Sequence, residues 1–323
     1  MKNKSDSSHI PRNPGTGLDM GLISKIIVNK SAVERRAATL GTRRAVKKEF
    51  QAAWLLRAVT CIDLTTLAGD DTDGNVARLC AKARQPIRED ILKSLGIEKA
   101  IKVGAVCVYH NLIPAALKTL DGSDIPVAVV STGFPAGQIT TLQKIKEIKA
   151  SVAAGAKEID IVISRANVLT GNWRALYNEV KAFREACGDA HMKTILATGE
   201  LATLTNVAKA SQVCMMAGAD FIKTSTGKEV ENATLPVSLV MVRAIRDYYE
   251  RTGFKVGFKP AGGISKAKDA IKWLILIKEE LGDEWLNSDL FRFGASSLLG
   301  DIERQLEHYT TGRYSASYRH PVA

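Results

Sequence analysis

Eight short apolar segments, each followed by a stretch of helical periodicity, succeed one another along most of the chain. Strands that alternate with helices form parallel sheets, and eight such units over about 250 residues match a closed barrel. We therefore predict an α/β fold, a (β/α)8 TIM barrel, over residues 57–310. A doubly wound open sheet is the alternative. The predicted strands are 58–64, 103–109, 126–131, 158–164, 193–198, 220–225, 255–260 and 290–296.

The net charge of +11 is concentrated at the N-terminus. Residues 1–50 contain eleven Lys/Arg and four Asp/Glu, so this segment alone carries +7. Residues 1–18 are rich in Ser, Asn, Pro and Gly and are predicted to form a disordered leader, followed by a basic helical extension over residues 19–56. A basic segment of this kind suits contacts with RNA or with acidic proteins. A solvated helical face is the simpler interpretation.

The cysteine and histidine patterns indicate a reducing compartment and no metal site. The five cysteines are scattered without a CxxC motif, which is typical of reduced thiols and excludes a disulfide framework. No apolar run approaches the roughly 20 residues that cross a bilayer, and the N-terminus lacks the apolar core of a secretory signal. We therefore expect a cytoplasmic protein without membrane contact. The histidines, which form no metal-spaced cluster, are His9, His110, His191, His308 and His320.

Two seven-residue segments repeat one pattern, AGAKEID at 154–160 and AGADFIK at 217–223. In each, a helix end is followed by a glycine suited to a C-terminal cap and then by a strand. Asp160 and Lys223 occupy the same position after the glycine. Because side chains alternate along a strand, the apolar neighbours face the helices, and Asp160 and Lys223 are predicted to face the barrel axis.

Charged side chains recur near the carboxyl ends of other predicted strands. Asp63 ends the first strand and Lys259 lies on the seventh. A charge that points into a barrel is costly unless it is paired or lies near the open mouth. The carboxyl-terminal face is where barrels of this kind carry their chemistry. We expect a catalytic site there, and a purely structural ion-pair network is the alternative.

Two lysines on adjacent strands indicate a specific reaction. An ammonium group near a second ammonium in an apolar setting loses its proton more easily, so the pKa of Lys223 is predicted to fall under the influence of Lys259. A neutral lysine attacks carbonyl groups and forms a Schiff base. Asp160 is placed to move protons to and from a substrate hydroxyl. The pattern therefore predicts covalent catalysis by Lys223.

Three loops at the same end of the predicted barrel are rich in glycine and hydroxyl groups. They are TSTGK at 224–228, AGG at 261–263 and GASS at 294–297. Backbone N–H groups in such loops, and at the helix N-termini that follow them, bind phosphate. Lys228 adds a cation. We predict a phosphate-binding site formed by these loops.

Five segments together resemble the deoxyribose-phosphate aldolase family, and the longer leader with the ILATGELATL, EELGDEW and DIERQ segments resembles its animal-type members. The resemblance extends from about residue 55 to residue 318. It implies a class I aldolase that needs neither metal nor cofactor. Such an enzyme reversibly cleaves 2-deoxy-D-ribose 5-phosphate to D-glyceraldehyde 3-phosphate and acetaldehyde in deoxyribonucleoside catabolism. The segments are IDLTTL (62–67), EIDIVIS (158–164), DFIKTSTGK (220–228), GFKPAGG (257–263) and RFGASSLL (292–299).

The resemblance also implies roles for individual residues. Lys223 is the Schiff-base lysine, and Lys259 depresses its pKa and helps to relay protons. Asp160 is the proton donor and acceptor, and Asp63 supports the site. The phosphate contacts are expected at Gly227, Lys228, Gly262, Gly263, Ser296 and Ser297.

Three further implications concern the channel, the tail and the partners. Cys107 aligns with a cysteine near the substrate channel, although a lone cysteine on a strand is also an ordinary core residue. Residues 311–323 are predicted to form a flexible tail, in which Tyr318 is expected to act in proton transfer, with Tyr314 as a competitor. The expected partner is a sugar-phosphate substrate, and the protein is expected to be capable of homo-oligomerisation. Another Schiff-base aldolase of sugar phosphates is the alternative activity.

Overall fold

A computed structural model of the chain describes residues 11–321 and contains one eight-stranded parallel sheet. The strands pair in the order β7-β6-β5-β4-β3-β2-β1-β8. Parallel bridges from Phe258 to Phe291 and from Ala261 to Gly294 join the two ends of this order and close the barrel. The predicted (β/α)8 barrel is confirmed. The strands are β1 (Ile62–Thr65), β2 (Ala105–Val108), β3 (Val127–Ser131), β4 (Glu158–Val162), β5 (His191–Ile195), β6 (Phe221–Lys223), β7 (Gly257–Lys259) and β8 (Phe293–Ala295).

Helices precede the barrel and connect its strands. Three lie before β1, namely α1 (Met20–Lys25), α2 (Lys30–Leu40) and α3 (Lys48–Thr60). The others follow the strands, namely α4 (Asp73–Arg84), α5 (Glu89–Ser94), α6 (Ile113–Leu120), α7 (Thr141–Ala153), α8 (Arg165–Leu169), α9 (Trp173–Cys187), α10 (Leu204–Met216), α11 (Leu235–Thr252), α12 (Ala267–Glu280) and α13 (Leu298–Thr311). Short 3-10 helices span His110–Leu112, Thr198–Glu200, Asp283–Trp285 and Ser317–Arg319. Within residues 11–321, no helix is long and apolar enough to cross a membrane.

The barrel interior has an apolar side and a charged side. Both faces of a parallel strand are buried, which is why these strands are nearly free of exposed residues. The outward side chains of the strands pack under the helices in the main core. The inward side chains of β2 and β3 form a separate apolar cluster of Ala105, Cys107, Ala128 and Val130. The other strands supply the charged side.

The basic extension packs on the barrel helices as part of the same core. Val33 and Leu40 of α2 are buried, and α2 and α3 contact α11, α12 and α13. Arg36 donates to the carboxylate of Glu280 at 3.1 Å. The first predicted strand, 58–64, differs at its start, because residues 58–60 belong to α3.

Residues 11–18 have no regular secondary structure but are anchored, in contrast to the predicted disordered leader. The side chain of Asn13 is buried, and its Nδ2 donates to two backbone carbonyls at 2.9 Å. The guanidinium of Arg12 lies 2.9 Å from the carboxylate of Asp220. Asp220 is buried beside β6, and its carboxylate needs these hydrogen-bond donors. The amino-acid composition of residues 11–18 does not reveal this partner. Residues 1–10 lie outside the described residues.

Candidate active site

Seven buried charged side chains fill one side of the barrel interior. Strand register explains the arrangement, because Asp160 pairs with Lys193 across β4 and β5, and Lys223 pairs with Lys259 across β6 and β7. Paired residues of neighbouring strands point to the same face of a sheet. The seven residues are Asp63, Glu158, Asp160, Lys193, Lys223, Lys259 and Arg292. We call them the ionic column.

The end of the ionic column nearest the barrel mouth brings together the three residues predicted to carry the chemistry. Asp160 Oδ2 accepts a hydrogen bond from Lys223 Nζ at 2.8 Å and one from Lys259 Nζ at 2.8 Å. The predicted inward orientation of Asp160 and Lys223 is thereby confirmed. Lys223 is the last residue of β6 and is 3% exposed. It therefore lies at the end of the buried strand that borders the barrel mouth.

The rest of the column extends toward the amino ends of the strands. Asp63 Oδ2 accepts from Lys259 at 2.5 Å and from Lys193 at 3.1 Å. Arg292 then joins Asp63 Oδ1, at 2.5 Å, to Glu158 Oε1, at 2.9 Å. Lys193 also donates to Glu158. Lys259 is therefore held between the carboxylates of Asp63 and Asp160.

The ionic column has one more cationic than anionic side chain. Three carboxylates face four cations, so the fully charged set carries +1. Burying a net charge is costly, and losing one ammonium proton removes that cost. Burial lowers the pKa of Lys223, and the positive charge of Lys259 adds to this effect, although Asp160 opposes it. Lys223 is therefore the amine that most readily becomes neutral.

The other members of the column stay charged. Burial alone would lower the pKa of Lys259, but the carboxylates of Asp160 and Asp63 raise it above its ordinary value. Burial would raise the pKa of Asp160, but the ammonium groups of Lys193, Lys223 and Lys259 hold it well below its usual range. The site therefore pairs an ionised carboxylate with an amine whose pKa is lowered, which is the combination that proton transfer and nucleophilic attack need.

A cavity of about 890 Å³ opens above Lys223, at the carboxyl ends of β1, β6, β7 and β8. Five of the six predicted phosphate contacts line it, namely Gly227, Lys228, Gly262, Ser296 and Ser297, whereas Gly263 does not. The remaining lining residues include Thr65, Thr66, Leu67, Asp71, Asn75, Leu79, Ser265, Lys266, Asp301, Arg304 and His320.

The far side of the cavity has the features of an anion site. α13 begins at Leu298 with Ser297 as its N-cap, and Ser297 makes no side-chain capping bond there. A helix N-terminus of this kind carries partial positive charge and N–H donors. Gly262 has a φ of 81°, and a Cβ there would lie 2.6 Å from Asn232, so only glycine fits this turn. Lys228 adds a cation to the rim.

Three other predicted site residues lie elsewhere. Cys107 is fully buried in the apolar cluster, burial raises the pKa of its thiol, and it does not line the cavity. Tyr318 is 82% exposed, and Tyr314 stacks on the ring of His308. Neither tyrosine lines the cavity in this conformation. Among the described residues, no group of three or more metal-ligating side chains is placed to hold an ion.

Four residues of the site escaped the sequence analysis. Lys193 lies in the fifth predicted strand, and a lysine within an otherwise apolar strand was the signal that could have identified it. Glu158 and Arg292 stood near strand starts, where a charged residue is usually solvated. His320 belongs to no motif or metal-spaced cluster in the sequence, but it is buried and lines the cavity.

Comparison with known proteins identifies the family. Residues 57–299 match the family model described as DeoC/LacD family aldolase. The chain is 62% identical to the deoxyribose-phosphate aldolase of Bos taurus over 312 residues, which cover 96% of this chain and 98% of the bovine one. It is also 62% identical to the Homo sapiens protein of the same name over 314 residues, with coverages of 96% and 99%.

Solved structures agree on the fold. The tetrameric deoxyribose phosphate aldolase from Aeropyrum pernix superposes with a TM-score of 0.58 at 21% identity, covering 86% of this chain and 99% of that one. An aldolase called QR15 superposes with a TM-score of 0.60 at 25% identity, covering 78% and 97%. With a family match over most of the barrel and relatives of high identity along nearly the whole length, this chain belongs to the DeoC/LacD family of aldolases.

Proposed function

We propose that this protein reversibly cleaves 2-deoxy-D-ribose 5-phosphate to D-glyceraldehyde 3-phosphate and acetaldehyde, as a cytoplasmic enzyme of deoxyribonucleoside catabolism. The observation that carries the proposal is the buried amine of Lys223, which lines the cavity 2.8 Å from the carboxylate of Asp160 and has a lowered pKa. The names of the bovine and human relatives support the choice of substrate. The anion site across the cavity suits the phosphate.

Cleavage begins with the neutral amine of Lys223. Its nitrogen attacks C1 of the open-chain aldehyde, water leaves, and a protonated imine forms. Asp160 takes the proton of the C3 hydroxyl, directly or through a water molecule. The C2–C3 bond then breaks, glyceraldehyde 3-phosphate leaves, and the bonding electrons pass into an enamine that remains attached to Lys223.

The second half of the reaction releases acetaldehyde. C2 of the enamine gains a proton, the imine is hydrolysed, and Lys223 is regenerated. Lys259 and Asp160 share one hydrogen bond, so this pair can return the proton that Asp160 accepted. Leu67 lines the cavity and packs against the apolar cluster of β2 and β3, which gives the two-carbon fragment an apolar wall.

Borohydride trapping tests the proposal directly. Incubation with acetaldehyde and borohydride is expected to place one N-ethyl group on the peptide that contains Lys223, which mass spectrometry of the digest locates. An adduct on Lys259 instead would reverse the assigned roles. Absence of any lysine adduct, together with no turnover of deoxyribose 5-phosphate, would reject the reaction. Treatment with a chelator is the control, and activity is expected to survive it.

The lowered pKa of Lys223 predicts how imine formation depends on pH. Only the neutral amine reacts, so the trapped fraction rises with pH, and the rise is expected below the ordinary lysine value of 10.5. Because the charge of Lys259 helps to lower that pKa, Lys259→Met is expected to move the rise to higher pH. A Lys266→Met variant serves as the control, since Lys266 lies on the cavity rim. A rise at unchanged pH in Lys259→Met would contradict the proposed coupling.

Lys228 is expected to contribute to phosphate binding rather than to chemistry. In Lys228→Met, the KM for deoxyribose 5-phosphate is expected to rise about tenfold, as for the loss of one charge-assisted hydrogen bond. Turnover of unphosphorylated deoxyribose is expected to stay at the parental rate. Lys268→Met, on the exposed side of α12, is the matched control. An equal loss on both substrates would assign Lys228 to another task.

Two alternatives are less well supported. A Schiff-base aldolase of a longer sugar phosphate would use the same lysine, and competition between sugar phosphates in the cleavage assay distinguishes the two substrates. An RNA-binding or acidic-protein-binding role for residues 1–50 is weakened because Arg36 and Arg44 pair with Glu280 and Glu279 of the barrel.

Homo-oligomerisation is part of the proposal, supported by the tetrameric structure from Aeropyrum pernix.

A further inference from the structure

The last described residues turn back along α13. Gly312 ends the helix in a left-handed conformation with a φ of 72°, which reverses the chain. The ring of Tyr314 then stacks on that of His308, with centroids 3.9 Å apart. The segment therefore runs beside the helix toward its amino end. We call residues 312–321 the C-terminal hook.

His320 fixes the C-terminal hook to two glutamates that are one helical turn apart. Its Nε2 lies 2.6 Å from Oε2 of Glu307, and its Nδ1 lies 3.4 Å from Oε1 of Glu303. His320 is 3% exposed, and its side chain is fully buried. The hook is thus attached by a buried contact.

Other elements complete the cluster around this imidazole. Glu303 is fully buried, and its Oε2 lies 2.7 Å from Nζ of Lys82 on α4. Glu307 lies 3.6 Å from the guanidinium of Arg88, the N-cap residue of α5, and 3.3 Å from that of Arg319 in the hook. Burial raises the pKa of Glu303, although Lys82 and His320 oppose this. Removing the imidazole would leave Glu303 paired with Lys82 but less covered.

His320 also lines the substrate cavity. Arg304 of α13 and Asn75 of α4 line the same cavity, as do Ser296 and Ser297 at the N-terminus of α13. Of the described residues that line the cavity, His320 alone follows α13 in the chain. The hook therefore forms part of the cavity wall.

We propose that His320 is a positioning residue, which seats the C-terminal hook as a wall of the substrate cavity and so favours binding of the sugar phosphate. Its polar contacts are with Glu303, Glu307 and Ser315, and none is with Asp160 or Lys223. It acts on substrate binding and leaves the bond-breaking steps unchanged. The kinetic part rests on the proposed function, and the seating of the hook does not.

The test compares three full-length variants, His320→Ala, His320→Gln and Pro321→Ala. Two quantities are measured, namely kcat and KM for deoxyribose 5-phosphate, and the rate at which trypsin cleaves after Arg313 and Arg319, followed by mass spectrometry. His320→Ala is expected to raise KM about fivefold to tenfold with kcat little changed, and to accelerate cleavage by a similar factor. His320→Gln keeps one donor and is expected to be intermediate. Pro321→Ala, next to it but exposed, is expected to behave as the parent.

The outcomes separate the two parts of the inference. Parental KM and parental cleavage rates in His320→Ala would overturn it, and so would faster cleavage with unchanged KM or a raised KM with unchanged cleavage. If His320→Ala does not fold, His320→Gln decides by the same criteria. If the parental enzyme does not turn over deoxyribose 5-phosphate, the proposed function fails. Cleavage rates and titration with inorganic phosphate then replace the kinetic comparison.

Discussion

Lys223→Arg is expected to lower kcat/KM for deoxyribose 5-phosphate by at least about 1,000-fold, the scale on which an enzyme loses its nucleophile. A guanidinium stays protonated and cannot form the imine. It keeps a positive charge next to Asp160, so the ion pair at the mouth of the barrel is preserved. Borohydride with acetaldehyde is expected to leave this variant unlabelled. Parental turnover in Lys223→Arg would end the Schiff-base mechanism.

Lys223→Met separates chemistry from charge at the same position. Methionine is neutral, so the six charged residues that remain in the ionic column balance, with three carboxylates and three cations. We therefore expect Lys223→Met to be as inactive as Lys223→Arg but to unfold at a higher denaturant concentration than that variant, because the arginine keeps a net buried charge. Lys228→Arg is the control for a cavity lysine that performs no covalent step, and it is expected to retain turnover. Equal activity losses in Lys228→Arg and Lys223→Arg would contradict the assignment.

Local patterns were sufficient to predict the barrel and the inward orientation of Asp160 and Lys223. The alternation of strands and helices determined the fold class, and the alternation of side chains within EIDIV and DFIK turned Asp160 and Lys223 inward. Both patterns act over a few residues, so they can be followed along the sequence. The glycine-rich loops likewise lie directly after strands whose positions were predicted, so five of the six predicted phosphate contacts line the cavity.

Contacts between distant segments account for what was missed. Lys193 is recognisable as part of the site only when barrel closure brings β1 opposite β4 and β5, so that Asp63 and Asp160 meet its amine. Asn13 is ordered by partners more than 200 residues away. His320 reaches the cavity because Gly312 reverses the chain. None of these partners is adjacent in sequence, so composition suggested a solvated leader and a flexible tail.

Asp160→Asn and Glu158→Gln form a matched pair, because each removes one buried negative charge from the same ionic column. Each leaves cations without their partner, so each is expected to lower the free energy of unfolding by about 3–5 kcal/mol. Denaturant titration measures this loss. The two carboxylates differ in their partners. Asp160 contacts Lys223 and Lys259, whereas Glu158 contacts Lys193 and Arg292 toward the amino ends of the strands.

Activity is expected to distinguish the two variants where stability does not. Asp160→Asn removes the group that accepts the C3 hydroxyl proton and is expected to reduce kcat by about 100-fold to 10,000-fold, the usual contribution of general acid–base catalysis. The folded fraction of Glu158→Gln is expected to keep kcat within about threefold of the parent, because its carboxylate contacts Lys193 and Arg292 rather than the reacting amine of Lys223. Both are assayed well below the unfolding temperature, with activity divided by the folded fraction. Equal losses of kcat would mean that the column acts as one electrostatic unit, and Asp160 would then have no separate role in proton transfer.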